Sequence, residues 1–85
     1  QLTIISRERN GLIGEIGTVL GKNNITIKNI EISEIKKLES GDSIIEINLS
    51  IKRPVGSDDF EFVQMLSLID GINSVEIDGK DMGVK

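Results

Sequence analysis

Between Arg7 and Gly11 the apolar period of the chain changes from two to roughly 3.6 residues, and this switch constrains its fold more than any other feature. Leu2-Thr3-Ile4-Ile5-Ser6 is a β-branched run that reads as a strand. Leu12, Ile13, Ile16, Val19 and Leu20 then recur at helical spacing, with Arg7-Glu8-Arg9-Asn10-Gly11 between. Gly11 has no Cβ and turns such a corner at positive φ with little strain. The first-turn N–H groups of the helix then face the space over the loop, which suits a small anion or a carboxylate.

Eighty-five residues make one domain, because a chain of this size buries only about 60% of its unfolded surface. Sixteen isoleucines, seven leucines, five valines and no alanine fill its core mainly with β-branched side chains, which favour strands. A net charge of −4 repels phosphate backbones and disfavours nucleic acid as a partner. Without cysteine or histidine there is no disulfide, thiolate, structural zinc or imidazole chemistry, and carboxylates around a hard cation are the remaining metal option. No cofactor is expected. No apolar run approaches the ~18 residues of a membrane span and no signal-like segment is present, so no direct membrane insertion and a cytoplasmic setting are expected. A start at Gln1 inside a strand pattern reads as a piece of a longer host protein.

Lys22-Asn23-Asn24 ends the helical spacing, and Ile25-Thr26-Ile27 opens an alternation that resumes out of phase at Ile30 and Ile32 and shifts again at Ile35. One extra residue reverses which parity faces the core, so a bulge is expected near Lys28-Asn29. After the polar connection Leu38-Glu39-Ser40-Gly41-Asp42, the residues Ile45, Ile47, Leu49 and Ile51 alternate cleanly with polar ones and complete a hairpin. Lys36 and Lys37 fall near its tip. Ser57-Asp58-Asp59 offers helix caps, with a second helix beginning near Asp59 and apolar positions at Phe62, Val63, Leu66 and Ile69. Gly71 suits a left-handed C-cap, and Ile72, Val75 and Ile77 form a last strand. The domain is expected over residues 1–78, with a flexible tail over 79–85.

The order β-α-β-β-α-β closes into an α+β, ferredoxin-like fold: a four-stranded antiparallel sheet with two helices on one face. The other face, carrying Thr3, Ile5, Ile44 and Asn48, is left for water, a partner or a second sheet.

The loop Arg9-Asn10-Gly11-Leu12, the amphipathic helix after it, the strand start Asn24-Ile25-Thr26-Ile27 and the final Gly71-Ile72-x-x-Val75 resemble the ACT domain, a small ligand-sensing module. The resemblance runs through Ile77 and lies in the order and spacing of short motifs. It implies a non-catalytic regulatory domain of a larger protein that dimerises or forms a higher oligomer. Between two protomers it would bind an amino acid or similar small carboxylate, with Arg9, Asn10, Gly11, Leu12, Ile13 and Thr26 as the ligand-binding residues. In the serine-sensing version of the pattern the polar contacts fall on Ser6, Glu8 and Thr26, where that version has histidine, asparagine and asparagine, and Glu8 sets an acid beside an incoming carboxylate. The segment from Ile51-Lys52-Arg53-Pro54 to Val75-Glu76-Ile77 is similar to the C-terminal domain of MgtC/SapB-type membrane proteins. That likeness implies tethering to a membrane through the host, and an alternative role as a structural interaction module with no small-molecule ligand.

Gly14, Gly17 and Gly21 cost about 1 kcal/mol each relative to alanine inside a helix, and they fall on one stripe beside the apolar arc. Either a helix from another protomer or from the host approaches that stripe, or the domain's own second helix does. Other signals point to ordinary structure. Ile13-Gly14-Glu15-Ile16-Gly17 has the glycine spacing of a KH loop but an acidic residue within it, and both phenylalanines sit on the second helix rather than on a base-stacking sheet. Arg7, Arg9 and Asn48 are nominally the residues of an acylphosphatase, without that family's glycine-rich phosphate cradle. Asp58, Asp59 and Glu61 read as helix-terminal carboxylates, so no metal site is expected.

Overall fold

The computed structural model describes residues 1–56 and 58–81. Its elements are β1 (Leu2–Arg7), α1 (Leu12–Lys22), β2 (Thr26–Lys37), β3 (Ser43–Lys52), α2 (Asp59–Ser67), β4 (Ile72–Ile77) and β5 (Lys80–Asp81). All pairings are antiparallel, in the spatial order β2-β3-β1-β4-β5. The fold is ferredoxin-like, with four principal strands and both helices on one face.

Alternation decides which side of the sheet is core. Leu2 and Ile4 of β1, Ile45, Ile47 and Leu49 of β3, and Ile72, Val75 and Ile77 of β4 are buried under the helices. From α1 come Leu12, Ile16 and Leu20, and from α2 Phe62, Val63 and Leu66. Thr3, Ile5, Ile44 and Asn48 lie half-buried on the other face, where the Thr3 hydroxyl donates to Asn48 Oδ1 at 2.8 Å. Asn48 Nδ2 in turn donates to Glu46 Oε2 at 2.7 Å, so that face is held by polar links across the strands.

Local chemistry sets the ends of α1. Asn24 takes φ 60 just past the Asn23 C-cap, and two bonds close the helix: Asn24 N–H to Gly21 C=O at 3.0 Å and Ile25 N–H to Leu20 C=O at 2.9 Å. This is a Schellman cap with its apolar contact between buried Ile25 and Leu20. At α2, the Asp58 carboxylate caps by accepting from Phe60 N–H at 3.0 Å.

The hairpin register shifts between Ile27 and Asn29 and again between Glu34 and Lys36, where the alternation changes phase. The consequence for β2 does not follow from its pattern: every residue of the strand is exposed, including its isoleucines, because it lies at the sheet edge beyond the helices.

Three local expectations need correction. Gly71 does have positive φ, 98, but α2 ends at Ser67 with Leu68 as its C-cap. Gly71 is instead the third residue of a turn closed by Ile72 N–H to Ile69 C=O at 3.2 Å, where such a φ is required. The polar end of the chain carries a further strand, because Asp78 at φ 53 and Gly79 at φ 80 make a two-residue hairpin turn that returns Lys80 and Asp81 against Ile77 and Glu76. Asp-Gly is a strong signal for that turn. Residues 82–85 of the expected tail lie outside the described residues. Ile13, counted in the apolar arc of α1, is 41% exposed at the flank of the helix.

Candidate functional site

The β1–α1 corner is built as a turn. Leu12 N–H donates to Arg9 C=O at 3.3 Å, and Gly11 is its third residue at φ 81, ψ −5, serving also as the N-cap of α1. No side chain caps this end. Glu15 N–H is bonded to Gly11 C=O at 3.0 Å, which leaves the intervening first-turn amides of Ile13 and Gly14 without an intrahelical acceptor. Beside them is an open depression of about 500 Å³ lined by Gly11, Gly14, Glu15, Thr18, Val19 and Ile69.

Charged side chains draw three segments together at this end. Arg9 donates through Nε to Asp70 C=O at 2.8 Å and through Nη1 to Asn10 C=O at 3.0 Å, and its Nη2 meets Glu15 Oε2 at 2.7 Å. Arg7 Nη2 reaches Asp70 Oδ2 at 3.0 Å. Glu8 N–H donates to Ser43 C=O at 2.8 Å and seats the loop against the start of β3. Arg9 is therefore committed through all three nitrogens to its own chain. Glu15 lies in the first turn of α1, where the helix dipole favours an acid, and lines the same depression. The family resemblance points to Glu8 as the opposing acid; Glu15, in the first turn of the helix, is the acid that lines the depression.

Of the expected ligand residues, Arg9, Asn10, Gly11, Leu12 and Ile13 share this corner, although the Leu12 side chain is buried and only its backbone faces the loop. Thr26 does not join them. It pairs with Lys52 while Arg7 pairs with Ile44, so the length of β3 separates the two ends, roughly 26 Å at about 3.3 Å per residue. A pocket using both needs Thr26 from a second copy.

The glycine stripe of α1 is open. A Cβ built on Gly14, Gly17 or Gly21 meets nothing within 4 Å, so the domain's own second helix does not pack there. The helices instead meet along the other flank, where Asn23 Nδ2 lies 3.5 Å from Met65 Sδ. With the space free, Gly17→Ala is expected to raise the stability of the dilute chain by about 0.5–1 kcal/mol through helix propensity, read as a higher urea midpoint.

Among the described residues there is no group of three or more acidic, histidine or cysteine side chains arranged for a metal ion, and no helix long and apolar enough to cross a membrane. At the opposite end of the molecule, Asp58 and Glu61 share a smaller polar cleft of about 230 Å³ with Lys22, Asn23, Asn24, Pro54 and Phe62.

No protein-family model and no curated protein matches the chain. Solved structures do. The chain is similar to part of a formyltetrahydrofolate deformylase from Pseudomonas putida KT2440, at 17% identity with a TM-score of 0.55 over 78% of this chain. What the two share is a fold. The matched part is 22% of that enzyme's chain, so this domain spans less than a quarter of its length.

Proposed function

We propose that this chain is a non-catalytic, ACT-like regulatory domain of a larger protein that works as a homodimer or higher oligomer and takes up an amino acid or similar small carboxylate at the β1–α1 corner. The observation that carries this is the uncapped start of α1 opening into a depression of about 500 Å³ whose helical side is backbone at Gly11 and Gly14. The ligand carboxylate sits against the first-turn amides. Its ammonium group answers Glu15, which lines the depression, a combination that α-amino acids supply and simple carboxylates lack. Thr26 of a neighbouring copy completes the pocket. Regulation follows from linkage: a ligand that prefers one arrangement of protomers shifts the host by its differential affinity, typically ~1–3 kcal/mol.

The test is thermal unfolding of the chain with each of the twenty amino acids. A ligand present at 100 times its dissociation constant is expected to add about 2.7 kcal/mol and raise the melting temperature. A flat response to all twenty overturns the ligand and leaves the second reading, a structural interaction module of a membrane-attached host. The open glycine stripe Gly14, Gly17 and Gly21 and the full engagement of Arg9 favour an interaction module, whatever its host.

A further inference from the structure

Three glycines of this chain follow an asparagine or an aspartate, at Asn10-Gly11, Asp70-Gly71 and Asp78-Gly79. At such a step the backbone nitrogen of the glycine can close on the preceding side-chain carbonyl carbon into a five-membered imide, because no Cβ shields that nitrogen. An aspartate enters the ring only as the neutral acid, since water is the group it must expel. Both aspartates are instead held in ion pairs: Asp70 Oδ2 lies 3.0 Å from Arg7 Nη2, and Asp78 Oδ2 lies 3.7 Å from Arg53 Nη2. Asn10 expels ammonia and has no such block.

Asn10 is exposed, and neither its side-chain amide nor the Gly11 N–H has a hydrogen-bond partner among the described residues. The five other asparagines are held or shielded. The Asn23 side chain donates to Val19 C=O at 2.8 Å, and that of Asn48 is bonded to Thr3 and Glu46. Asn24 and Asn29 precede isoleucines, whose branched side chains crowd the attacking nitrogen, and Asn73 precedes Ser74, which is paired in the sheet with Ile5.

With φ 81 and ψ −5 at Gly11, the corner is a type II turn, in which Asn10 takes ψ of roughly +120°. That rotation carries Gly11 N away from Asn10 Cγ, so the ring closes only when the corner opens. The hold on the corner is light. Its Leu12 N–H to Arg9 C=O bond is 3.3 Å, beyond the usual range for its kind, the Arg9 Nη1 bond to Asn10 C=O is exposed, and no side chain caps the helix. Exposed backbone bonds of this sort open at small free energy.

We propose that Asn10 is a site of spontaneous deamidation that closes the β1–α1 corner to carboxylates. Hydroxide takes the proton of Gly11 N–H, the nitrogen bonds to Asn10 Cγ, and Nδ2 leaves as ammonia with a proton from water. Water then opens the imide. Addition at Cγ leaves aspartate; addition at the backbone carbonyl carbon leaves isoaspartate, whose chain runs on through Cβ and Cγ. Either product sets a new carboxylate beside the first turn of α1 and its Glu15, and isoaspartate also lengthens the backbone and breaks the turn. The loss of carboxylate binding rests on the function proposed above; the modification itself does not.

The test is incubation of the full chain at mildly alkaline pH, with peptide mapping by mass spectrometry at intervals. The exchange of amide for acid is expected at Asn10 ahead of every other asparagine, with isoaspartate revealed by an isoaspartyl methyltransferase, and both signals are expected to vanish in Asn10→Gln, whose ring would need a sixth member. Amide loss that starts at another asparagine, or is shared evenly among them, overturns the site. Asn10→Asp is expected to lose any melting shift that an amino acid gives the unaltered chain, and an undiminished shift overturns the switch. A flat melting series for the unaltered chain overturns the ligand and the switch together, while the mapping still decides the modification site by itself.

Discussion

Phe62→Ala is expected to destabilise the domain by about 3–5 kcal/mol, the range for removing a fully buried aromatic ring. Phe62 is 1% exposed and lies in the core with Val63 and Leu66 from its own helix and the inward side chains of the sheet. α2 has nine residues, and such a short helix is held by its buried face rather than by propensity. A domain of this size has only about 4–13 kcal/mol of net stability, so the loss removes a large share of it. Urea unfolding followed by circular dichroism is expected to show a much lower midpoint. Phe60→Ala is the control: Phe60 is on the same helix but 61% exposed, and its loss is expected to stay within about 0.5 kcal/mol. Equal effects at the two positions would show that α2 is rotated from the orientation described.

Gly71→Val is expected to cost roughly 2–3 kcal/mol and to disturb the candidate site as well as the fold. The position sits at φ 98, which a β-branched residue adopts only with strain. A Cβ there would lie 3.4 Å from Arg7 C=O and 3.5 Å from Ser6 Oγ, against β1 at the point where its register with β4 shifts. Arg7 N–H is bonded to Gly71 C=O at 2.9 Å, and the hydroxyl of the fully buried Ser6 is satisfied by Arg7 C=O at 3.0 Å. Moving Gly71 therefore puts a buried hydroxyl at risk of losing its acceptor, and it displaces Asp70, the residue to which Arg7 and Arg9 are anchored. The expected result is a lower urea midpoint together with weaker protection of the Arg7 and Gly11 region in hydrogen exchange. Gly41→Val, also at positive φ but with open space around its Cβ, is the measure of backbone strain alone.

Much of this domain was legible in its residues because the deciding forces are local or periodic. The change of apolar period across Gly11 marked β1 and α1, the alternation from Ile45 to Ile51 marked β3, and the phase changes along β2 marked both of its register shifts. The candidate corner was legible for the same reason: glycine at the end of a strand and the start of a helix has few other conformations to serve. The engagement of Arg9 was not legible. Its partners are Glu15, a turn into the helix, and Asp70, sixty-one positions along the chain, which spacing does not join.

By itself the sequence determined the elements, their order and the side of each that turns inward, since those follow from backbone preferences and from the burial of apolar side chains at fixed period. Only the tertiary structure decided that four isoleucines of β2 stay in water, that the glycine stripe of α1 meets no helix of its own chain, and that Thr26 and Gly11 occupy opposite ends of the molecule. Those outcomes depend on how far two short helices reach across a wider sheet and on which strand is left at its edge, and apolar periodicity records neither.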